Sequence, residues 1–88
     1  MKTWAPQQAP IRLSLCGPEE VVYYPVGREE WVLLRWDEQT STEMGTKIRC
    51  EAIAGSEGNY RLGRSFILEP WTEVYQLNEM EVLALAST

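Results

Sequence analysis

The residue types that most often do chemistry are sparse in this chain, and histidine is missing altogether. Histidine is the usual general base near neutral pH and the commonest transition-metal ligand. Without it no Ser-His or Cys-His nucleophile can be assembled within the chain. A structural zinc site needs four ligands drawn from Cys, His and carboxylates. The two cysteines, Cys16 and Cys50, stand 34 positions apart with no CxxC spacing. They would pair only if the fold brought them together. No catalytic residue, metal or cofactor is therefore expected, and the chain reads as a non-enzyme.

Paired carboxylates are the remaining acid/base candidates. Glu19-Glu20 and Glu29-Glu30 are adjacent in sequence. Neighbours on a strand or turn point in different directions, so both pairs read as solvated turn residues. Asp37-Glu38 with Glu43 only weakly fits the clustered Asp, Asn and Gly of a calcium loop. The glycines at Gly55, Gly58 and Gly63 lack the Lys-Ser/Thr of a phosphate loop, and a hairpin turn accounts for them.

Two groups of side chains could bind something. The first is basic. If the turn after Ala54 centres near Ser56-Glu57, Arg49 faces Arg64, with Lys47 and Phe66 beside them. Cations interleaved with an aromatic on a strand face can hold phosphates or stack bases. The plainer reading is that these cations pair with the abundant Glu and lay their stems over apolar surface.

The second group is aromatic. Val21–Val26 (VVYYPV) and Trp31–Trp36 (WVLLRW) form a predicted hairpin across residues 27–30. That turn sets Val26 against Trp31 and Tyr24 against Leu33 on one face. It sets Val21 against Trp36 and Tyr23 against Leu34 on the other. Both faces are apolar, whereas a sheet with one wet face alternates apolar and polar residues. One face is expected to pack the core. The other needs the C-terminal segment, the N-terminal arm or another chain. Tyr23, Tyr24, Trp31, Leu33 and Trp36, with Trp71 further on, are the candidate partner-binding residues.

The elements that must position these groups are strands. Residues 1–10 carry two prolines and no periodicity, which predicts an extended arm with Trp4 able to dock. Ile11–Leu15 alternates and reads as a strand. Pro25 places its strand at an edge or at its end. Asp37–Gly45 (DEQTSTEMG) is polar throughout and reads as a surface loop. Thr46–Ala54 alternates, a turn follows at Gly55–Asn59, and Tyr60–Leu68 returns with a bulge expected at Gly63. The end is ambiguous. Pro70–Leu77 and Glu81–Ala86 read as strands around a turn at Asn78–Met80. The alternative is a helix capped by Thr72 and presenting Trp71, Val74, Tyr75, Asn78 and Val82. The sum is an all-β fold, a small antiparallel barrel or sandwich of six or seven short strands in one domain over 11–88, its C-terminal segment a short helix in the alternative reading. The pattern is similar to SH3-like and OB-like barrels in architecture alone, and no motif of either is present.

The balance of the composition narrows the partners. The chain has 88 residues, 44% of them hydrophobic, with four Trp, four Tyr and one Phe. Its net charge is −5, almost all of the acid being Glu. An acidic domain is repelled by the phosphate field, so nucleic acid is not the expected partner. No apolar run follows Lys2, and none approaches the roughly 20 residues of a membrane span. A cytoplasmic protein with reduced thiols is expected. The leading functional expectation is a non-enzymatic protein-interaction module. It would use the apolar aromatic strand surface and an acidic rim, with a protein partner or a second copy of itself in a homo-oligomer. The alternative is a small β-barrel that binds nucleic acid or a small ligand through Lys47, Arg49, Arg64 and Phe66.

Overall fold

A computed structural model describes residues 6, 8–27, 30–56 and 63–86. The chain is mostly β, with one six-stranded antiparallel sheet and a short C-terminal helix, and the sheet does not close into a barrel. The strands are β1 (Ile11–Arg12), β2 (Val21–Pro25), β3 (Trp31–Thr42), β4 (Gly45–Gly55), β5 (Ser65–Leu68) and β6 (Glu73–Gln76). The helix α1 spans Glu79–Ala86. The spatial order is β1-β6-β2-β3-β4-β5, so β2 to β5 form a meander and β6 returns to the far side of β2.

The hairpin of β2 and β3 is apolar on both faces, as its sequence predicts, but its register differs. Tyr24 pairs with Val32, Tyr23 with Leu33 and Val22 with Leu34. The connection 26–30 is one residue longer than the expected turn, held by the Val26 and Gly27 amides donating to the Glu30 carbonyl at 3.0 and 3.3 Å. A one-residue slip exchanges the faces of a whole strand. Tyr24 therefore shares a face with Val32, Leu34 and Trp36, while Tyr23 shares one with Trp31 and Leu33. Pro25 closes β2 at the strand end, where its missing N–H costs no ladder bond.

Each face has its own core. The larger joins Val22, Val32, Leu34, Trp36, Ile48, Cys50, Ala52 and Val74, with Leu13 and Cys16 laid across them. The smaller joins Tyr23, Leu33, Ala54 and Leu85, with Trp31, Tyr75 and Val82 against them. Val32, Leu33 and Leu34 are consecutive and fully buried. Only a strand covered on both sides can bury successive residues. The cover on the first face is the turn after β1, and on the second it is α1.

Three segments depart from the sequence reading. Ile11–Leu15 is a strand only over its first two residues. Leu13–Leu15 is a 3-10 turn, closed by the Cys16 amide donating to the Leu13 carbonyl at 3.0 Å. Leu13 and Ser14 instead donate to the carbonyls of Thr72 and Pro70. That turn lets Leu13 and Cys16 both face inward, which a straight strand would not.

Asp37–Gly45 is not a loop. β3 runs on to Thr42 and pairs with β4 through a two-residue turn at Glu43-Met44. Thr42 fixes the turn, its Oγ1 donating to the Gly45 carbonyl and accepting from the Met44 amide. Gly45 takes the φ of +111° that this turn needs. Both faces of this ribbon are wet, so it lacks the alternation that marks a half-buried strand.

The end is a strand followed by a helix. β6 lies within the expected strand 70–77, but Glu81–Ala86 is helical. Asn78 Oδ1 accepts from the Glu81 amide at 2.8 Å, and Glu81 Oε1 accepts from the Asn78 amide at 3.1 Å. This reciprocal cap starts α1 at Asn78 rather than at Thr72. Leu, Ala, Met and Glu then favour continuing it.

The bulge at Gly63 is present. Gly63, at φ +84°, donates to the Ala52 carbonyl at 2.8 Å, and the Ala52 amide donates to the Arg64 carbonyl at 2.9 Å. Two residues of one strand thus oppose one of the other. Most of the expected arm 1–10, Trp4 included, lies outside the described residues, as do Arg28, Glu29 and the whole turn-and-strand segment 57–62.

Candidate functional site: an acidic groove beside the C-terminal helix

The six expected partner-binding residues do not form one surface. Tyr23, Leu33 and Trp31 belong to the smaller core. Trp31 stacks on Tyr23 with ring centroids 5.8 Å apart, and Tyr75 meets Tyr23 edge-on at 6.1 Å. Tyr24 and Trp36 lie on the opposite face. Leu33 and Trp36 are buried, and only Trp71 is exposed, at 64%. Trp71 follows Pro70, whose carbonyl accepts from the Ser14 amide.

The basic group is dispersed as well. The expected pairing of Arg49 with Arg64 is replaced by Arg49 with Ile67 and Cys50 with Phe66. The hairpin is longer than its turn residues suggest, and the Gly63 bulge adds one more residue to the returning strand. Phe66 packs against the larger core, and the Arg64 guanidinium lies 5.5 Å from its ring centroid. Arg49 pairs with Asp37 and Glu38 at 3.0 and 3.1 Å, and Lys47 pairs with Glu69. Arg35 pairs with Glu51. Cations that are already neutralised hold little attraction for a phosphate chain.

The cysteines are core residues. Both are free and buried in the larger cluster. Burial, and then the nearby Glu20, push the Cys16 thiol up to about 11. Burial, then Cys16 and the Asp37 charge, push Cys50 up to about 11 despite an opposing backbone hydrogen bond at Asp37. A nucleophilic or ligating cysteine requires the thiolate, so these environments disfavour both roles. Among the described residues, no group of three or more Cys, Asp or Glu is placed to hold a metal ion.

A concave site does exist, at the junction of β2, β6 and α1. It is an open groove of about 740 Å³. Val21, Leu77, Val82 and Leu83 supply its apolar surface, and Glu19, Glu20, Glu79 and Glu81 supply carboxylates around it. Ligand clefts commonly measure about 300–1,000 Å³ and combine an apolar lining with a few placed polar groups. The local sequence explains each wall. Val21 begins β2, Leu77 directly follows β6, and the Asn78–Glu81 cap turns the chain so that α1 forms the third side. Glu79 and Glu81 in the first helical turn also suit the positive end of the helix dipole.

Glu19 has an unusual backbone. Its φ is +70°, the only positive value among the described non-glycine residues. The Glu19 amide donates to the Trp36 carbonyl, and the Trp36 amide donates to the Glu20 carbonyl, each at 2.8 Å. This is the bond pattern found at Gly63-Arg64 opposite Ala52, with a glutamate where the other bulge has glycine. The left-handed conformation costs an L residue about 1–2 kcal/mol. Glu19 and Glu20 of this bulge both line the groove.

Sequence reasoning assigned Glu19 and Glu20 to a solvated turn and missed Glu79, Glu81 and Leu83. Asn-Glu-Met-Glu was legible as a capping sequence, since Asn is three residues before Glu81. No protein-family model, curated protein or solved structure matches this chain.

Proposed function

We propose that this chain is a non-enzymatic protein-interaction module whose docking surface is the groove between α1 and the neighbouring strands β2 and β6. The observation that carries this reading is the outward side of α1. Met80 is 79% exposed and Leu83 67% exposed, on a helix whose other side already packs Leu85 into the sheet. A helix that is apolar all round is normally buried all round. Exposed apolar residues beside a rimmed groove are the usual composition of an interface. The aromatic strand residues support this surface from below, because Tyr23, Trp31 and Tyr75 pack the face on which α1 rests.

The test is the native mass of the protein isolated with its partner, compared between the wild type and Leu83→Ser. The wild type should travel as a complex that the variant loses, with the circular dichroism of the two indistinguishable. A wild type that is monomeric and alone, or a complex insensitive to Leu83→Ser, would overturn the reading.

A further inference from the structure

Resting on that reading of the groove, we infer that its occupant is a basic amphipathic segment of another protein, with apolar side chains on the floor and Lys or Arg at the rim.

The argument begins with how charge is distributed. The four ion pairs of the described residues join Arg35, Lys47 and Arg49 to acids on β3, β4 and after β5. The groove lies at the other side of the sheet. Among the described residues, no cation pairs with Glu19, Glu20, Glu79 or Glu81. Among the described residues, the Glu20 carboxylate accepts the neutral Gln76 amide, and Glu81 accepts the Asn78 backbone N–H. Four of the thirteen acidic residues thus line one groove that also holds apolar side chains, with no ion pair to a cation among the described residues. Low-dielectric walls focus such a field and raise the local concentration of cations.

The apolar floor selects among cations. A small inorganic cation would gain nothing from Val21, Leu77, Val82 and Leu83. A segment that is both basic and apolar gains from burial on the floor and from complementary charge at the rim. A second copy of this chain is a poor occupant. An isologous contact sets the same patch against itself, so the four carboxylates would face four more. Like charges brought together at an interface oppose association.

The experiment uses the full chain, labelled with nitrogen-15, and three synthetic probes. One is an amphipathic peptide of Leu and Lys, the second replaces every Lys with Glu, and the third is a Lys peptide without Leu. The Leu/Lys peptide should shift the amide resonances of Val21, Leu77, Val82 and Leu83. Its affinity, read by fluorescence anisotropy, should fall at least about tenfold in Glu19→Gln/Glu79→Gln, the equivalent of about 1.4 kcal/mol. The remote Glu43→Gln on the ribbon tip should leave it unchanged. The Lys-only peptide should bind more weakly, and added salt should weaken both. If the Leu/Glu peptide shifts the groove as well as the Leu/Lys peptide does, the basic partner is wrong while the docking groove stands. If the double variant has no effect, or the shifts map elsewhere, the inference is overturned. If neither Leu-containing peptide shifts any groove resonance, the inference and the docking reading both fall.

Discussion

The indole Nε1 of Trp36 donates to the Leu13 carbonyl at 3.2 Å, tying the turn after β1 to the centre of the sheet. The bond is buried, and it spans 23 residues of sequence. It makes Trp36 a structural residue, although its aromatic type and strand position suggest a binding role from sequence. Trp36→Phe removes the donor and part of the packing volume. The Leu13 carbonyl keeps the Cys16 amide as a partner, so no acceptor is orphaned. The expected loss is about 1–2 kcal/mol, which lowers the melting temperature by about 4–8 °C per kcal/mol in a domain of this size. Binding to the Leu/Lys peptide should not change in the folded variant, and a lost affinity with unaltered melting would reverse the assignment.

Leu85 fastens α1 to the second face of the sheet. It is 5% exposed and packs with Tyr23, Leu33 and Ala54. Leu85→Ala should cost about 2–5 kcal/mol, as large-to-small core changes do. Amide exchange over residues 79–86 should speed up more than exchange in β3 and β4, because α1 has few other anchors. Equal acceleration everywhere would show that α1 unfolds only with the whole domain.

The parts of the fold that were legible in the sequence were those with one wet face or two apolar faces. β2, β4 and the start of β3 follow directly from VVYYP, TKIRCEAIA and WVLLRW. The polar ribbon Asp37–Thr42 was hidden because neither face is buried, so no alternation exists to read. Register was hidden too. Turn length decides it, and one extra residue at 26–30 set Tyr23 opposite Leu33 and Tyr24 opposite Val32, so that each tyrosine shares its face with the other set of β3 side chains. The groove brings together Glu19 and Glu79, residues far apart in the chain, and rests on a bulge formed by a glutamate where glycine is usual. Neither has a local signature. The two-faced hairpin did pose the right question, and α1 is the cover it required.

The buried thiols predict a loss of stability at alkaline pH. In the unfolded chain a cysteine gives up its proton near its ordinary value of 9.0, whereas Cys16 and Cys50 hold theirs to about 11 in the fold. Between those values the folded state binds more protons, so unfolding becomes easier as pH rises. Burial, and then the neighbouring Tyr75, raise Tyr23 also, with the same sign. The stabilising contribution is complete below about pH 9 and is lost as pH climbs through about 11. Urea midpoints at pH 8 and 10.5 should show the decline, and Cys16→Ala/Cys50→Ala should flatten it. At pH 8 a thiol reagent should label neither cysteine until the protein is unfolded; fast labelling of the folded chain would contradict this.

Arg49 bridges Asp37 and Glu38 at the surface, and its side chain is 42% exposed. Exposed pairs contribute about 0.2–1 kcal/mol. Arg49→Gln should therefore change stability by less than about 1 kcal/mol. With Lys47 and Arg49 paired to carboxylates and Arg64 laid against the Phe66 ring, this group should bind no single-stranded oligonucleotide even at low salt, by gel shift or anisotropy. Salt-dependent binding that Arg49→Gln and Arg64→Gln weaken would restore the nucleic-acid reading of Lys47, Arg49, Arg64 and Phe66.

Glu19 connects stability to the groove. Its φ of +70° is the conformation glycine adopts at the matching bulge of Gly63. Substitution by glycine relieves the left-handed strain but frees the unfolded chain, two effects of about 1 kcal/mol each with opposite sign. Glu19→Gly should thus fold with stability within about 1 kcal/mol of the wild type. Glu19→Ala keeps the strain and removes the carboxylate, so it should be no more stable than the glycine variant. Both should bind the Leu/Lys peptide more weakly, by a similar factor. Strained residues persist where the surrounding structure or a function holds them. If Glu19→Gly folds as well as the wild type and binds less, the strained backbone is retained for the carboxylate it carries. If binding is unchanged, the Trp36 ladder alone holds Glu19 there, and the rim of the groove is defined by Glu79 and its neighbours on α1.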